Sequence, residues 1–486
     1  MSTSASRTRH AAGDGYASNG SLKQNALGVL GILFFVLSAQ APLTGIAGAA
    51  PVAIALGNGP GVPAMYVVAG AVVLLFSVGY VAMGRHVVDA GAFYSYVGKG
   101  LGGTAAAGSA GVALLAYHAI QAAVYGLFGT VMNGLALQYL ETDVPWWLFA
   151  LGTMVVVQLL GTAGVDVGAK VLAVFVLAEI SLLLVFGVVM LLKGGGPEGL
   201  APGSSFSLSA ALDGAPGVAL MFAVASMFGF EATAIYGEEA RETHRTVRKA
   251  TYLAVVIGTA FFAFTSWMLI SAHGPSSSAA AAGKALESGD GAAFVTAPVA
   301  AELGAWAGDA LPILLATSLF ASILAFHNSA NRYLFSLGRE GLLPRSLSSL
   351  NGRQSPWLAG VVQTGVAALL VFPFALAGQD PVLTLFSWLS GLAVLAIMLL
   401  YLLTSVSVIV FFRHERSGDT RLWNTLIAPA LGAGGIAGAI WLIISNFTTL
   451  IGGDTATAVW LALAVPGALL AGMAMPRLAS GVLPGR

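Results

Sequence analysis

Apolar residues in this chain run in long blocks rather than in alternation. The blocks fall at about 25–56, 62–83, 103–138, 145–165, 168–192, 215–238, 250–272, 309–337, 357–377, 383–412, 425–446 and 456–476, divided by polar or glycine- and proline-rich segments. A helix needs about 20 mostly apolar residues to cross the hydrocarbon core of a bilayer, and all twelve blocks are long enough. Such continuous runs predict helices, because a membrane barrel would show short strands of alternating polarity. Ahead of the first block, residues 1–22 hold Arg7, Arg9 and a scatter of Ser, Thr and Gly, and read as a disordered tail. The expected fold class is an all-α polytopic membrane protein with 12 transmembrane helices.

Composition then narrows the chemistry. Of 486 residues 57% are apolar and 9% charged, with 21 basic side chains against 21 acidic ones and no cysteine. A soluble protein carries about 25% charge, so the bilayer is the natural surrounding of this chain. Without cysteine there is no disulfide framework, thiolate metal site, iron–sulfur cluster or cysteine nucleophile. Zero net charge argues against a nucleic acid partner, since no basic excess is present to neutralise phosphates.

Lys and Arg accumulate on the cytoplasmic side of membrane proteins. With the N-terminus inside, the inner segments hold nineteen of them, among them Arg85, Arg241, Arg245, Arg248, Arg332, Arg345, Arg413 and Arg421; the outer ones hold only Lys193 and Lys284. This asymmetry places both termini in the cytoplasm and requires an even number of spans. The same register argues against a cleaved signal peptide. The outer segment 273–308, rich in Ala, Ser and Gly with short helical stretches, reads as a lid over a vestibule or as a flexible connector. The inner segment 338–356 is basic and turn-rich, as suits a loop at the headgroups.

Two blocks are interrupted. The first holds Pro42-Leu43-Thr44-Gly45-Ile46-Ala47-Gly48-Ala49-Ala50-Pro51, where two glycines between prolines predict unwinding, with Pro51 in the first turn of a restarted helix. The sixth holds Ser226-Met227-Phe228-Gly229-Phe230-Glu231, a carboxylate within an apolar run. Five spans separate them, and because five is odd the second unit enters from the opposite side, which makes an inverted repeat. Paired interruptions of this kind point to a secondary transporter with its substrate at the midplane. Unwound backbone offers N–H groups to a carboxylate and C=O groups to an ammonium without placing a full charge in lipid.

The stretches TGIAGAAPVAIALGNGPGVP, VGYVAMGRHVVDAGAFYSYVGKGLG, SMFGFEATAIYGEEARETHRTVRKA and LFASILAFHNSANRYLFSLGREGLLPRSL followed by SPW, in that order, resemble the amino acid–polyamine–organocation (APC) permeases. The resemblance covers about residues 25 to 412. It implies the leucine-transporter-type fold, a 5+5 inverted repeat plus two C-terminal helices, and exchange or proton-coupled uptake of amino acids or amines. The corresponding divisions are the tail 1–22, repeats at 23–196 and 197–414, and a final pair of helices in 415–486. The family's small Gly-Ser-Gly signature falls on Thr44-Gly45-Ile46, where only the middle position stays small. Its Gly-hydrophobic-Glu element matches Gly229-Phe230-Glu231. Where antiporters of the family often place an aromatic gate stands Ala225, so Phe222 or Phe228 would have to occlude the substrate. The proline of the following cytoplasmic loop is replaced in Glu242-Thr243-His244-Arg245-Thr246-Val247.

Ionisable groups inside a span are functional candidates because their burial is expensive. Lys170 resembles the lysine that proton-coupled relatives place where sodium-coupled members of the fold bind their ion; the alternative is a basic residue snorkelling at a helix end. Ser318 and Ser322 face it on this reading, or serve helix packing. Glu231 carries a proton or caps the restarted half-helix. Glu179, nine residues after Lys170, lies on the opposite helix face and reads as an interhelical structural bond. His118, Gln121 and Tyr125 share a face at i, i+3, i+7, and His118 and Tyr125 are candidate pocket residues; His327 and Asn328 are similar candidates. The glycine-rich stretch at 432–438 lies inside the eleventh block and reads as close helix packing rather than a phosphate loop. No metal-spaced His cluster or His-Glu-x-x-His appears, and neither an enzyme nor a cofactor is expected.

The expected protein is a cell-membrane permease working by alternating access, with a polyamine or organic cation carrier, or an exchanger, as the alternative. A substrate carboxylate would lie at the amides of Thr44, Gly45, Ile46, Ala47 and Gly48, and its amine near carbonyls of Ser226, Phe228 and Gly229 beside Phe230. Lys170 and Glu231 would change protonation between states. The expected partners are a small amino acid or amine, protons and the lipid bilayer, with the protein a monomer or homodimer.

Overall fold

The computed structural model describes residues 27–87, 93–163, 165–241, 243–414 and 421–474. The tail 1–22 lies outside the described residues, as do the side chains of 165–173, Lys170 among them. Within the described residues the chain is helical, with two isolated β-bridges and no strand. Eleven helices there are long and apolar enough to cross a membrane.

The first of these, Val29–Met83, runs 55 residues and takes in the first two apolar blocks. Ala41 stands in the left-handed region (φ 43°) and Gly57 is non-helical, so the stretch divides into α1 (Val29–Gln40), α2 (42–58) and α3 (Val62–Met83). Pro42 causes the first division. It has no N–H to give the carbonyl four residues back, and it keeps the residue before it out of the α region.

The unwinding expected across Gly45 and Gly48 does not occur there. Gly45–Ala49 is a π-helical turn that continues into α-helix at Ala50, and Pro42 takes the first-turn position expected of Pro51. These glycines mark close packing instead: a Cβ on Gly45 would lie 2.4 Å from the Phe262 ring.

There follow α4 (Phe93–Leu101), α5 (Gly103–Leu140), α6 (Trp146–Ala163) and α7 (Val165–Lys193). The sixth apolar block breaks where its sequence predicts. Helix α8 (Pro216–Met227) ends at Phe228, Gly229 has φ 107°, and helix resumes as α9 (Ala232–Ile235). Beyond it run α10 (Thr243–His273), α11 (Pro275–Glu287), α12 (Ala293–Leu303), α13 (Ala305–Arg339), α14 (Trp357–Leu376), α15 (Pro381–His414), α16 (Trp423–Ser445) and α17 (Thr455–Met473).

Helix α5 is the central post, packed against α4, α13, α14, α15 and α17, while α1 lies among α7, α10 and α13. Outward faces carry large exposed apolar side chains such as Leu159, Leu192, Leu376, Trp441 and Trp460, a surface that lipid rather than water would cover. The stretch 432–438 packs closely, as its glycines predict: a Cβ on Gly432 would touch the Phe76 backbone at 3.0 Å. Segment 273–308 folds into α11 and α12, and α11 lies over the end of α2. In segment 338–356 a short turn, Arg345–Ser348, buries Leu347.

Candidate functional site

The two helix breaks meet. Gly229 approaches α1 so closely that a Cβ there would lie 2.6 Å from Ala39, and its positive φ disfavours any side chain. Gln40, just before the first break, donates from Nε2 to the Met227 carbonyl at the second (3.4 Å). The Ala39 carbonyl, left without a helical partner, accepts from the Ser322 hydroxyl of α13 (3.1 Å). Across the gap the Tyr66 hydroxyl lies 3.3 Å from Ser226 Oγ and 3.5 Å from the Gly45 carbonyl, and Ser226 donates to the Phe222 carbonyl.

A cavity of about 30 Å³ sits at this crossing. Its polar wall is Gln40, Thr44, Ser226, Ser322 and Ser390, and its apolar wall includes Ile120, Val124, Ala225, Phe326 and Phe386. Gln40 Oε1 and Ser390 Oγ are buried without a hydrogen-bond partner. No charged side chain lines the cavity among the described residues. A second, larger cavity of about 320 Å³ lies on the α11–α12 side, reaching Ala47, Gly48, Asn133, Asp290 and Val382. The π-turn 45–49 is a wall between them, contributing Gly45 and Ala49 to one and Ala47 and Gly48 to the other.

Of the predicted site residues, Thr44, Gly45 and Ser226 line the small cavity, Ala47 and Gly48 the large one, and Ile46 is packed in the core. The amides expected at 44–48 are mostly engaged in helix, since Gly45 donates to Ala41 and Ala50 to Gly45. The first-turn amides of Leu43 and Thr44 have no carbonyl one turn back in the same helix. His118 and Tyr125 do not line the cavity. Tyr125 accepts from Gln121, which is bonded to Gln363 of α14, and His118 Nδ1 pairs with the Leu114 carbonyl (2.6 Å). Ile120 and Val124, on the neighbouring face of α5, take their place.

Phe222 is buried and stacks on Phe386, so it reaches the cavity through that ring. Phe228 packs edge-on to Tyr117 and Phe326. Phe230 packs against Phe76 and Tyr401. Glu231 is fully buried and heavily bonded: Oε2 accepts from the Gly229 amide (3.0 Å) and the Tyr401 hydroxyl (3.1 Å), and Oε1 from the Tyr117 hydroxyl (3.1 Å). Tyr80 donates to its backbone carbonyl (2.9 Å). Glu179 stands beside interhelical neighbours of the kind expected, the Ser318 hydroxyl of α13 and the Leu43 backbone of α2, but neither of its oxygens completes a hydrogen bond with them. Ser318 is the partner of Thr44, 3.5 Å away, rather than of a described lysine. His327 is buried with both ring nitrogens unbonded, and the Asn328 carbonyl accepts from Arg332.

With this geometry, the family comparison is decisive: residues 27–469 match the family model described as "Amino acid permease". The chain belongs to the amino acid permease family. It is also similar to the branched-chain amino acid permease BcaP of Lactococcus lactis subsp. cremoris (strain MG1363), at 26% identity over 349 residues, 66% of this chain and 70% of that protein. This permease is thus a multi-pass membrane protein of the APC superfamily, with its breaks and cavity inside the matched region.

Several site residues of the permease escape sequence reasoning. Tyr66, Tyr80, Tyr117 and Tyr401 come from three helices, and their hydroxyls converge on the breaks. Their signal was a polar tip in mid-span, which buried tyrosines need to satisfy. Arg332 and Glu239 form a bidentate buried pair (2.8 and 3.0 Å) beside the Tyr236 ring, tying α13 to the segment after α9.

Proposed function

We propose that this permease carries a small apolar amino acid across the cell membrane by alternating access, driven by protons. The observation that carries the substrate class is the cavity at the crossing of the breaks, with polar backbone and hydroxyl groups on one wall and aliphatic and aromatic side chains on the other. A zwitterion fits that division. Its carboxylate meets Thr44 and the first turn of α2, its ammonium faces carbonyls beside Ser226 and Met227, and its side chain lies among Ala225, Ile120, Val124 and Phe326. The name of the Lactococcus relative supports a branched-chain substrate. At about 30 Å³ the cavity is too tight for a leucine, so Phe326 and Phe386, backed by Phe222, must move to admit it.

The breaks also support the proposed architecture: twelve crossings, Val29–Met83 counted as two, arranged as inverted repeats at 23–196 and 197–414 with a final pair in 415–486. Both termini lie in the cytoplasm on this reading, which places α11, α12 and the larger cavity outside as the vestibule. Lys170 is the proposed cationic member of the proton machinery. Glu231, with three donors on its carboxyl, is better suited to fixing the second break than to carrying a proton. A cation or polyamine carrier would need a carboxylate at the cavity wall, and Glu231 is not among its lining residues.

The test is uptake into proteoliposomes under an imposed pH gradient. Leucine, isoleucine and valine should accumulate and putrescine should not, and Ala225→Phe should abolish leucine uptake while leaving the protein folded. Putrescine accumulation, or leucine uptake unaffected by Ala225→Phe, would overturn the reading.

A further inference from the structure

One buried carboxyl has no part in the site above. Glu179, midway along α7, is 1% exposed, and both of its carboxyl oxygens lack a hydrogen-bond partner. The Ser318 hydroxyl of α13 and the Leu43 backbone of α2 are its polar neighbours, close to it but out of hydrogen-bonding geometry. Ser318 lies 3.5 Å from the Thr44 hydroxyl, and Thr44 lines the central cavity. Two side chains, Thr44 and Ser318, therefore lead from the substrate pocket to this acid.

The surroundings hold no described counter-charge at its level. Helix α7 packs against α1, α2, α6, α10, α12 and α13. Of these, α1, α2 and α6 have no titratable side chain. Those of α10 stand in its first ten residues (His244, Arg245, Arg248, Lys249, Tyr252) or at its end (His273). Glu302 of α12 is paired with Lys193. On α13, Asp309 and His327 each stand nine residues from Ser318, roughly 14 Å along the axis, and Arg332, Tyr333 and Arg339 lie farther on. On α7 itself Asp166 and Lys170 have side chains outside the described residues.

A carboxylate whose neighbouring donors, the Ser318 hydroxyl and the Leu43 amide, complete no hydrogen bond to it is costly to keep inside a membrane protein. A carboxylic acid needs only an acceptor for its O–H, and a small rotation brings Ser318 Oγ into that role. Resting on the proton-driven reading above, we propose that Glu179 is the carboxyl that takes up and releases the coupling proton, with Ser318 and Thr44 relaying its state to the pocket. When one side of the bundle opens, water reaches Glu179, its O–H bond breaks and the proton leaves as hydronium. When the other side opens, hydronium there gives its proton to the carboxylate, re-forming the O–H bond and leaving as water. Thr44 and Ser318 shift as the acid changes from donor to acceptor, and this links the proton to the first turn of α2.

The experiment compares wild type, Glu179→Gln and Glu231→Gln in proteoliposomes, reading leucine accumulation and substrate-linked proton entry with a trapped pH dye. Glu179→Gln should bind leucine and exchange it across the membrane as wild type does, yet lose accumulation and proton entry. Glu231→Gln, where folded, should lose any rate from both readouts together and keep the wild-type ratio of proton entry to leucine entry. Proton entry undiminished in Glu179→Gln overturns the proposal. If that variant fails to fold, infrared difference spectra of wild type between acid and alkaline buffer, with Ser318→Ala as comparison, decide the matter. A protonated-carboxyl band that shifts in Ser318→Ala supports Glu179, and one that does not shift overturns it. Leucine transport in wild type without proton entry refutes the proton-driven reading itself, and absence of leucine transport refutes the substrate assignment.

Discussion

The two helix breaks solve one problem by different means. At the first, a single left-handed residue, Ala41, separates two helical segments, and the stranded Ala39 carbonyl borrows a hydroxyl from Ser322 on another helix. At the second, the backbone departs from helix over several residues, and the chain supplies its own acceptor: Glu231 reaches back two residues to the Gly229 amide, while Tyr117 and Tyr401 from α5 and α15 hold the carboxyl in place. The first break therefore depends on one neutral contact, and the second on a charge with three donors. A break that leaves free amides calls for an acid, whereas one that leaves a free carbonyl is satisfied by a hydroxyl.

Substitutions can break this comparison. The largest effect is expected at Gly229→Ala, where left-handed backbone and the approach of Ala39 add to a loss of about 3 kcal/mol. Gly45→Ala should cost less, since Gly45 is helical and a Cβ there would meet only side chains, the Phe262 ring and the Ser226 hydroxyl, rather than strained backbone. Thermal unfolding in detergent measures both, and a reversed order would mean that the second break is not the more constrained. Next comes Glu231→Gln, expected to cost about 2 kcal/mol because bonds to a charged group are lost. Tyr401→Phe, removing one of the three donors, should cost about 1 kcal/mol. Equal losses would show that the carboxyl is held by one tyrosine rather than by the set. The smallest effect is expected at Ser322→Ala, about 1 kcal/mol or less, since water entering the cavity can replace the hydroxyl at the Ala39 carbonyl. A loss as large as that of Glu231→Gln would erase the distinction between the breaks.

Much of the fold was legible from block length, because a membrane permits few alternatives to long apolar helices. The second break was equally legible, since Gly229 followed by Glu231 has no ordinary place in a buried helix. The first was misplaced by a few residues: Pro42 sets the break through its missing N–H, and the glycines that drew attention serve close packing. Helical periodicity put His118, Gln121 and Tyr125 on one face correctly, but it did not say which neighbour that face meets. It meets Gln363 of α14 rather than the cavity.

Sequence alone determined the class, the helices and the presence of two interruptions, because those follow from local chemistry: the cost of charge in lipid, the missing amide of proline and the spacing of apolar residues. Only the tertiary structure decided the surroundings of Glu231 and Glu179. Glu231 and Glu179 look alike in the sequence, each a carboxylate in an apolar run. One is surrounded by donors from three parts of the chain and the other by none that bond. That difference arises from side chains far apart in sequence, and no local pattern encodes it.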